Sequence, residues 1–153
     1  MSGGRRPAEW QLALNRRVIH PIVVNALTYG VAPPTFALLE TTGRRTGLKR
    51  VVPVANGLEG DTFWLISGQG DRSGYVHNIR AHPRVRVKAR PARLRDGFRF
   101  EWRSGTAHLL PDDDARARHR RLGRGRPGYR LDGFALRKLA AGGDMLTIRI
   151  DLD

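Results

Sequence analysis

Short apolar segments separated by tight, glycine-containing turns are the feature that most constrains the fold. Residues Thr35–Thr41, Arg50–Ala55 and Thr62–Ser67 form three such segments, and glycines punctuate the intervening residues 42–47 and 57–60. Valine, threonine, phenylalanine and tryptophan are frequent in them, as is typical of strands. A parallel pair needs a crossover of a dozen or more residues, whereas a short turn joins antiparallel strands. The region therefore predicts three antiparallel strands in succession.

The remainder of the chain continues the pattern, with short helices placed between some of the strands. A doubly wound parallel sheet would need a helix between each pair of strands, so the simplest closure is a small antiparallel barrel of six or seven strands with peripheral helices. We expect a mainly β, α+β fold in a single domain, residues 1–153, with an N-terminal helix in 1–30 and the barrel in 31–153. The further predicted strands are Arg84–Arg90, Phe98–Trp102, Gly105–Leu110 and Met145–Leu152, and the predicted helices are Ala8–Tyr29, Tyr75–Ala81, Asp112–Leu122 and Asp132–Ala140.

Two strands show the alternation expected of a sheet with one buried face. In Arg84–Arg90, Val85, Val87 and Ala89 share one face, and in Phe98–Trp102 the three aromatic residues share one face. Period-two spacing of apolar residues is typical of core positions. We therefore expect both sets of apolar side chains to lie in the core.

Composition removes several classes of protein. The chain has no cysteine, which excludes disulfides, thiolate zinc sites and cysteine nucleophiles. No two of its five histidines are spaced so that they would share a helical face with carboxylates, so we expect no metal site. The most apolar stretch, Val18–Leu39, is interrupted by prolines, a histidine and a glycine, and the N-terminus lacks a secretory pattern, so we expect a cytoplasmic protein. The net charge of +14 attracts nucleic acid, anionic lipid and polyanionic ligands alike, so the charge alone does not identify a ligand.

The densest chemical signal is the segment Thr41–Arg50, TTGRRTGLKR. Two glycines allow a close approach of the backbone to a ligand, and three arginines and a lysine supply cationic donors. Such a turn can hold a phosphate or carboxylate group. A solvated hairpin turn with glycine at left-handed positions explains the same pattern equally well.

The segments LLETTGRRTGLKRVVPV and NIRAHPRVRV together resemble the deazaflavin-dependent nitroreductase family. That family has a Thr-x-Gly-Arg-Lys/Arg-Ser/Thr-Gly turn, an arginine, a proline on the next strand and then an Asn-Leu-x-x-Asn-Pro-x-Val segment. The resemblance covers residues 21–89 well. It implies a split β-barrel similar to FMN-binding proteins, which binds the deazaflavin coenzyme F-420 and transfers a hydride from it to a quinone, a nitroaromatic compound or an activated alkene.

The resemblance also implies roles for individual residues. The phosphate and anionic tail of the coenzyme would be held in the turn, the deazaflavin ring would lie along the next strand through mainly backbone contacts, and a serine would lie on the phosphate side. Tyr75 takes the place of a family tryptophan as an aromatic wall. The implied coenzyme-binding residues are Arg44, Arg45, Thr46, Gly47, Arg50, Pro53, Val54, Ala55, Ser67, Tyr75 and Asn78.

The acceptor side is less defined by the sequence. Tyr129 and Phe134 fall where the family places aromatic residues that cover the substrate, although Phe134 also fits simple packing of a short helix. His77, next to Asn78, is a candidate proton donor to the reduced substrate; a histidine on a helix surface or in a core is the commoner role. Hydride transfer by a coenzyme needs no catalytic dyad, and the chain has no Gly-x-Ser-x-Gly nucleophile elbow.

Three alternatives remain open at this point. FMN or haem could replace the deazaflavin, because related split barrels hold such groups. A nucleic-acid-binding barrel is suggested by the basic strand face Arg84, Arg86, Lys88 and Arg90 and by Trp64, Phe98, Phe100 and Trp102 as stacking residues. The basic N-terminal helix could instead dock on an anionic membrane surface. We expect a small-molecule acceptor, no specific nucleic acid, and a monomer or homodimer.

Overall fold

The computed structural model describes residues 36–91, 100–124 and 145–153, which form seven strands and two α-helices. The predicted helices 8–29 and 132–140, together with Tyr129 and Phe134, lie outside these residues. A single 3-10 turn, Gly70–Arg72, precedes the first helix. The strands are β1 (Phe36–Thr42), β2 (Lys49–Ala55), β3 (Leu58–Glu59), β4 (Thr62–Ser67), β5 (Arg84–Lys88), β6 (Trp102–Leu110) and β7 (Leu146–Leu152), and the helices are α1 (Gly74–Ala81) and α2 (Ala115–Gly123).

All seven strands belong to one antiparallel sheet in the order β2-β1-β5-β6-β7-β4-β3. Laid flat, the two outermost strands would be about 29 Å apart, at ~4.8 Å per strand. Yet β2 and β3 are joined by residues 56 and 57 alone, a link that spans at most about 11 Å. The sheet must therefore curl until its edges meet, which makes the predicted barrel.

The core fills the inside of this barrel and draws on six of the strands. Val85 and Val87 of β5 point inward and alternate with exposed arginines, as the sequence predicts, and Ala37 and Leu39 of β1 also point inward. Ala89, just beyond β5, is also buried in this core. Phe63, Ile148 and Ile150 are fully enclosed there. Complete burial of each such side chain contributes about 1.5–3 kcal/mol to stability. The period-two spacing of apolar residues places them together on the inner face of the sheet, where they are buried.

A second, smaller cluster lies on the outside of the barrel beneath α2. Ile66 of β4 packs there against Ala115 and Leu122, with Trp64 alongside. The guanidinium of Arg118 lies 4.0 Å from the centre of the Trp64 ring, a cation–π contact. One face of Trp64 is therefore covered by α2, which argues against its predicted role in stacking on nucleic-acid bases.

Three sequence predictions about elements are wrong in detail. Trp102 begins the long strand β6, which continues through Gly105, so residues 102–110 are one strand and not parts of two. Phe100 and Trp102 are half-buried on the outer face, where the cations of Lys88 and Arg86 lie 4.8 and 5.1 Å from their ring centres, so neither is in the core. The helix predicted from Asp112 begins three residues later, because the side chain of Asp114 accepts a hydrogen bond from the backbone N–H of Ala117, at 3.0 Å, and caps it.

Pairing across the sheet also differs from the expected succession of three strands. β1 and β2 form the predicted hairpin, but β4 pairs with β7 and β3 and not with β2. In the described parts of the chain no helix is long and apolar enough to cross a bilayer.

Candidate functional site

The turn between β1 and β2 is compact and depends on its glycines. The N–H of Gly43 donates to the carbonyl of Leu48 and the N–H of Gly47 to the carbonyl of Gly43, both at 2.8 Å. Gly47 has a φ of +69°, in the left-handed region that favours glycine. The Thr46 hydroxyl accepts from the N–H of Leu48 at 3.3 Å. The predicted left-handed glycine is therefore present, and the turn is held by its own backbone.

Four cationic side chains project from this turn, those of Arg44, Arg45, Lys49 and Arg50, and all four residues are exposed. Lys49 donates to the Thr42 hydroxyl at 3.0 Å. Among the described residues none of the four forms an ion pair, whereas Arg84 and Arg118 each make a bidentate pair with an aspartate. Within the described part of the chain, the turn thus concentrates positive charge that no carboxylate pairs with, as an anion-binding surface requires.

The side chain of Asn78, on α1, joins the helix to this turn. Its Oδ1 accepts from the backbone N–H of Arg44 at 3.2 Å and from Nη1 of Arg44 at 3.3 Å. Its Nδ2 donates to the Thr41 hydroxyl at 3.1 Å. Thr41 and Asn78 are both buried. The helix, the end of β1 and the cationic turn are therefore fixed relative to one another.

A group of three hydroxyls lies at the other end of α1. The fully buried Ser67 donates to the carbonyl of Gly70 at 3.1 Å, and its Oγ lies 2.8 Å from that of Ser73. Since the single Ser67 proton points to Gly70, Ser73 is the donor in the second bond. The Tyr75 phenol is close enough to Ser67 and Ser73 for both hydroxyls to lower its pKa. Tyr75 and Asn78 are three residues apart and so share a helix face.

The environment of Tyr75 makes a testable difference to stability at high pH. Burial raises the pKa of the Tyr75 phenol above its ordinary value, and the hydrogen bonds to Ser67 and Ser73 oppose that rise only in part. A raised folded-state pKa gives stability that is complete below the unfolded pKa of about 10 and is lost as pH rises through the folded pKa. The stability advantage of the wild type over Tyr75→Phe should therefore shrink above pH ~10, as measured by urea unfolding. Parallel pH curves for the two proteins would contradict it.

The predicted residues of β2 are divided between the two faces of the strand. Arg50 is paired with Thr41 and Val54 with Ala37, so both point to the inner face, and Val54 is in the core. Pro53, paired with Leu38, and Ala55 point to the outer face, where Ala55 packs in the cluster under α2. β2 is an edge strand of the described sheet, a position at which a strand tolerates a proline, since proline has no backbone N–H to donate. A ligand that runs along β2 would therefore meet mainly its backbone edge.

The structure brings some of the predicted site residues together and separates others. Arg44, Asn78, Tyr75 and Ser67 are linked through α1, with Arg45, Thr46, Gly47 and Arg50 at the same end of β1 and β2. Pro53 is three residues beyond Arg50, about 10 Å along the strand. His77 lies about 200° around α1 from Tyr75, on the side away from the site. Tyr129 and Phe134 are outside the described residues.

Sequence reasoning did not assign two of the residues that shape the site. Thr41 and Ser73 are the partners of Asn78 and Ser67, respectively. A threonine at an inward position at the end of a strand signals a buried hydroxyl, which needs a partner. That signal identifies Thr41, but not which residue it meets. Within residues 36–91, 100–124 and 145–153, no group of three potential metal ligands occurs.

Comparison with known proteins gives one family and a set of similar folds. A family model described as F420H(2)-dependent quinone reductase matches residues 23–131. Two curated F420H(2)-dependent quinone reductases of Mycobacterium tuberculosis, from strains H37Rv and CDC 1551, are 35% identical over 66 residues, which are 41% of this chain and 44% of each relative. The alignment thus spans less than half the length of these relatives.

Solved structures resemble this chain at the level of the fold. An F420 reductase superposes with a TM-score of 0.55 at 19% identity and covers 78% of this chain and 87% of its own. HutZ, the haem storage protein from Vibrio cholerae, gives 0.52 at 11% identity, covering 87% and 89%. A domain-swapped dimer gives 0.52 at 20% identity, covering 95% and 99%. Together with the closed seven-stranded sheet, these likenesses establish the split β-barrel.

Proposed function

The chain belongs to the F420H(2)-dependent quinone reductase family, and from that premise we propose that it transfers a hydride from the reduced deazaflavin coenzyme F-420 to a quinone. The observation that carries this proposal is the cationic turn, four basic side chains without ion pairs among the described residues, held against α1 by Asn78. Nitroaromatic compounds and activated alkenes are further proposed acceptors.

The donor set of the turn fits the coenzyme's anionic tail. Arginine guanidinium groups match phosphate and carboxylate oxygens in geometry and charge. Arg44, Arg45 and Arg50 would supply these donors, and Thr46 and Gly47 would let the backbone approach closely. Ser67, which the resemblance puts on the phosphate side, is fully buried at the other end of α1 from the turn, so its proposed role is indirect, through Ser73.

The ring of the coenzyme is proposed to lie along the edge of β2. Pro53, Val54 and Ala55 would contact it mainly through the backbone, since the side chains of Val54 and Ala55 are already packed. Tyr75 is the proposed aromatic wall, because it lies on the face of α1 that also carries Asn78. Tyr129 and Phe134 remain the predicted substrate wall. His77 remains a predicted proton donor, although its position on α1 turns it away from Tyr75.

When bound, the reduced coenzyme supplies the hydride, so the protein's own task is to bind, orient and exclude water. The turn would hold the anionic end of the ligand and Tyr75 would bound its ring. The rigid link between them through α1 holds both at constant spacing. The residues described here thus act by geometry and charge and need no nucleophile.

The proposed oligomeric state, location and alternative ligands rest on the family and the fold, not on the geometry of the site. We propose a single-domain protein acting as a monomer or homodimer, and the domain-swapped dimer among the similar structures is consistent with the second. A cytoplasmic location, with contact between the basic N-terminal region and the inner membrane face, remains a prediction. FMN and haem remain the alternative ligands, since HutZ shares the fold.

The test is hydride transfer by the purified protein. Reduced coenzyme F-420 and menadione are mixed with catalytic amounts of protein, and the return of the oxidised coenzyme's absorbance is followed. We expect turnover well above the buffer rate, together with fluorescence quenching that reports saturable coenzyme binding. A protein that binds FMN or haem tightly and leaves the deazaflavin unbound would overturn the proposal.

A further inference from the structure

The carboxamide of Asn78 is almost completely enclosed, with 7% of the residue exposed. It contacts three parts of the chain: it projects from α1, it accepts twice from Arg44 in the turn, and it donates to Thr41 at the end of β1. A buried polar side chain with three hydrogen bonds is costly to leave half-satisfied. The Asn78 carboxamide therefore holds α1, the turn and the end of β1 in a fixed arrangement.

The orientation of the amide follows from its neighbours. The backbone N–H and the guanidinium of Arg44 can only donate, so the Asn78 atom that faces them must be the oxygen. The reversed amide would set donors against donors. With both lone pairs of Oδ1 occupied by Arg44, this oxygen has no acceptor capacity left for a ligand.

Arg44 is consequently held at two points, its backbone N–H and its Nη1. An exposed arginine ordinarily loses side-chain entropy of up to about 2 kcal/mol on being immobilised. Here the two hydrogen bonds to Asn78 already order part of the side chain before a ligand binds. Nε and Nη2 of Arg44 make no hydrogen bond within the described residues and can donate to an anion. Preorganised donors bind an anion more tightly than mobile ones.

We propose that Asn78 is a positioning residue that acts through Arg44 to hold the cationic turn ready for the coenzyme's anionic tail. The proposal rests on the function proposed above and replaces a direct coenzyme contact by Asn78 with an indirect one. Because Tyr75 shares the Asn78 face of α1, the same anchor sets the spacing between the aromatic wall and the turn. Asn78 thereby favours a long ligand with an anionic end over a bare deazaflavin.

The first test uses the protein without any ligand. The amide of Arg44 donates to Asn78, so Asn78→Ala should raise its hydrogen-exchange rate about tenfold, as loss of one such bond implies. Thr41→Val, which removes only the acceptor of Asn78 Nδ2, should raise the rate about threefold, and Thr41→Ser should leave it near the wild-type value. Unchanged exchange in Asn78→Ala would overturn the anchor.

The second test measures the dissociation constant of coenzyme F-420 and of the same deazaflavin without phosphate and tail. Asn78→Ala should weaken binding of the full coenzyme about tenfold and of the tail-less form less than about twofold. In an Arg44→Ala background, Asn78→Ala should weaken binding less than it does in the wild type, because only the hydrogen bond to the backbone N–H of residue 44 is then left to lose. Thermal unfolding of each variant separates these effects from loss of folded protein.

The outcomes are distinct. Effects of Asn78→Ala and Arg44→Ala that multiply indicate direct contact of Asn78 with the coenzyme and overturn the positioning role. Equal weakening of full and tail-less coenzyme also overturns it. If the wild-type protein binds neither form, the proposed function fails, and the exchange experiment alone decides whether Asn78 holds the turn.

Discussion

Replacing Arg44 and Arg45 together with alanine is expected to weaken coenzyme F-420 binding about a hundredfold. A hydrogen bond to a charged group is worth about 1.5–3 kcal/mol, and two at the lower end correspond to roughly that factor. The lower end applies because both residues are exposed. The dissociation constant, measured by fluorescence titration at two salt concentrations, should also depend less on salt than in the wild type.

The matched control for this variant is Arg116→Ala with Arg120→Ala. Both residues are exposed on α2, outside the turn, and their removal lowers the net charge by the same two units. Comparable weakening by the two double variants would mean that the general positive charge attracts the coenzyme and that the turn has no special role. A hundredfold difference between them would locate the tail at Arg44 and Arg45.

Substitution of Gly57 by alanine is expected to destabilise the fold by about 3 kcal/mol, at the upper end of the usual cost of overpacking. Gly57 lies in the link between the two outermost strands, and its carbonyl accepts from the N–H of Trp64 at 3.0 Å. A Cβ at this position would lie 1.9 Å from the carbonyl oxygen of Trp64. Because that neighbour is backbone, no rotamer change relieves the contact, and the link must move away from β4.

Chemical and thermal denaturation measure this effect, and a loss of about 3 kcal/mol corresponds to a fall in Tm of about 10 °C in a chain of this size. Gly74→Ala is the control, since a Cβ there meets nothing within 4 Å. It should leave stability unchanged or slightly raised, as alanine favours a helix. A Gly57→Ala protein as stable as Gly74→Ala would show that the link can move away from the Trp64 carbonyl at no cost in stability.

Local features of the chain were predictable because they depend on nearby residues. Strand β4 has the predicted bounds, and β1, β2, β5 and β7 agree within two residues at each end, since alternation and turn glycines act over short distances. The pairing partners of β4 and the strand to which Trp102 belongs were not predictable, because pairing depends on strands that are far apart in the sequence. The outward position of Phe100 and Trp102 escaped period-two reasoning, which identifies a shared face but not which face is inside.

The candidate site divides in the same way. The turn Thr41–Arg50 is visible as a sequence motif, and its left-handed Gly47 follows from the pattern. The contacts of Asn78 with Arg44 and Thr41 join residues 34 and 37 positions apart, and nothing local specifies them. A resemblance could name Asn78 but not its partners.

The interior position of β7 in the sheet, between β6 and β4, has a consequence for biosynthesis. β4 is complete at Ser67, but its partner β7 begins at Leu146. At about 5–20 residues per second, the ribosome needs roughly 4–16 s to make the intervening residues. Throughout that time TFWLIS, an apolar segment rich in β-forming residues, has no strand to occupy its β7-facing edge, the kind of exposed edge that invites aggregation. The nascent chain should therefore be a substrate for chaperones that shield apolar strands until residue 152 has left the ribosome.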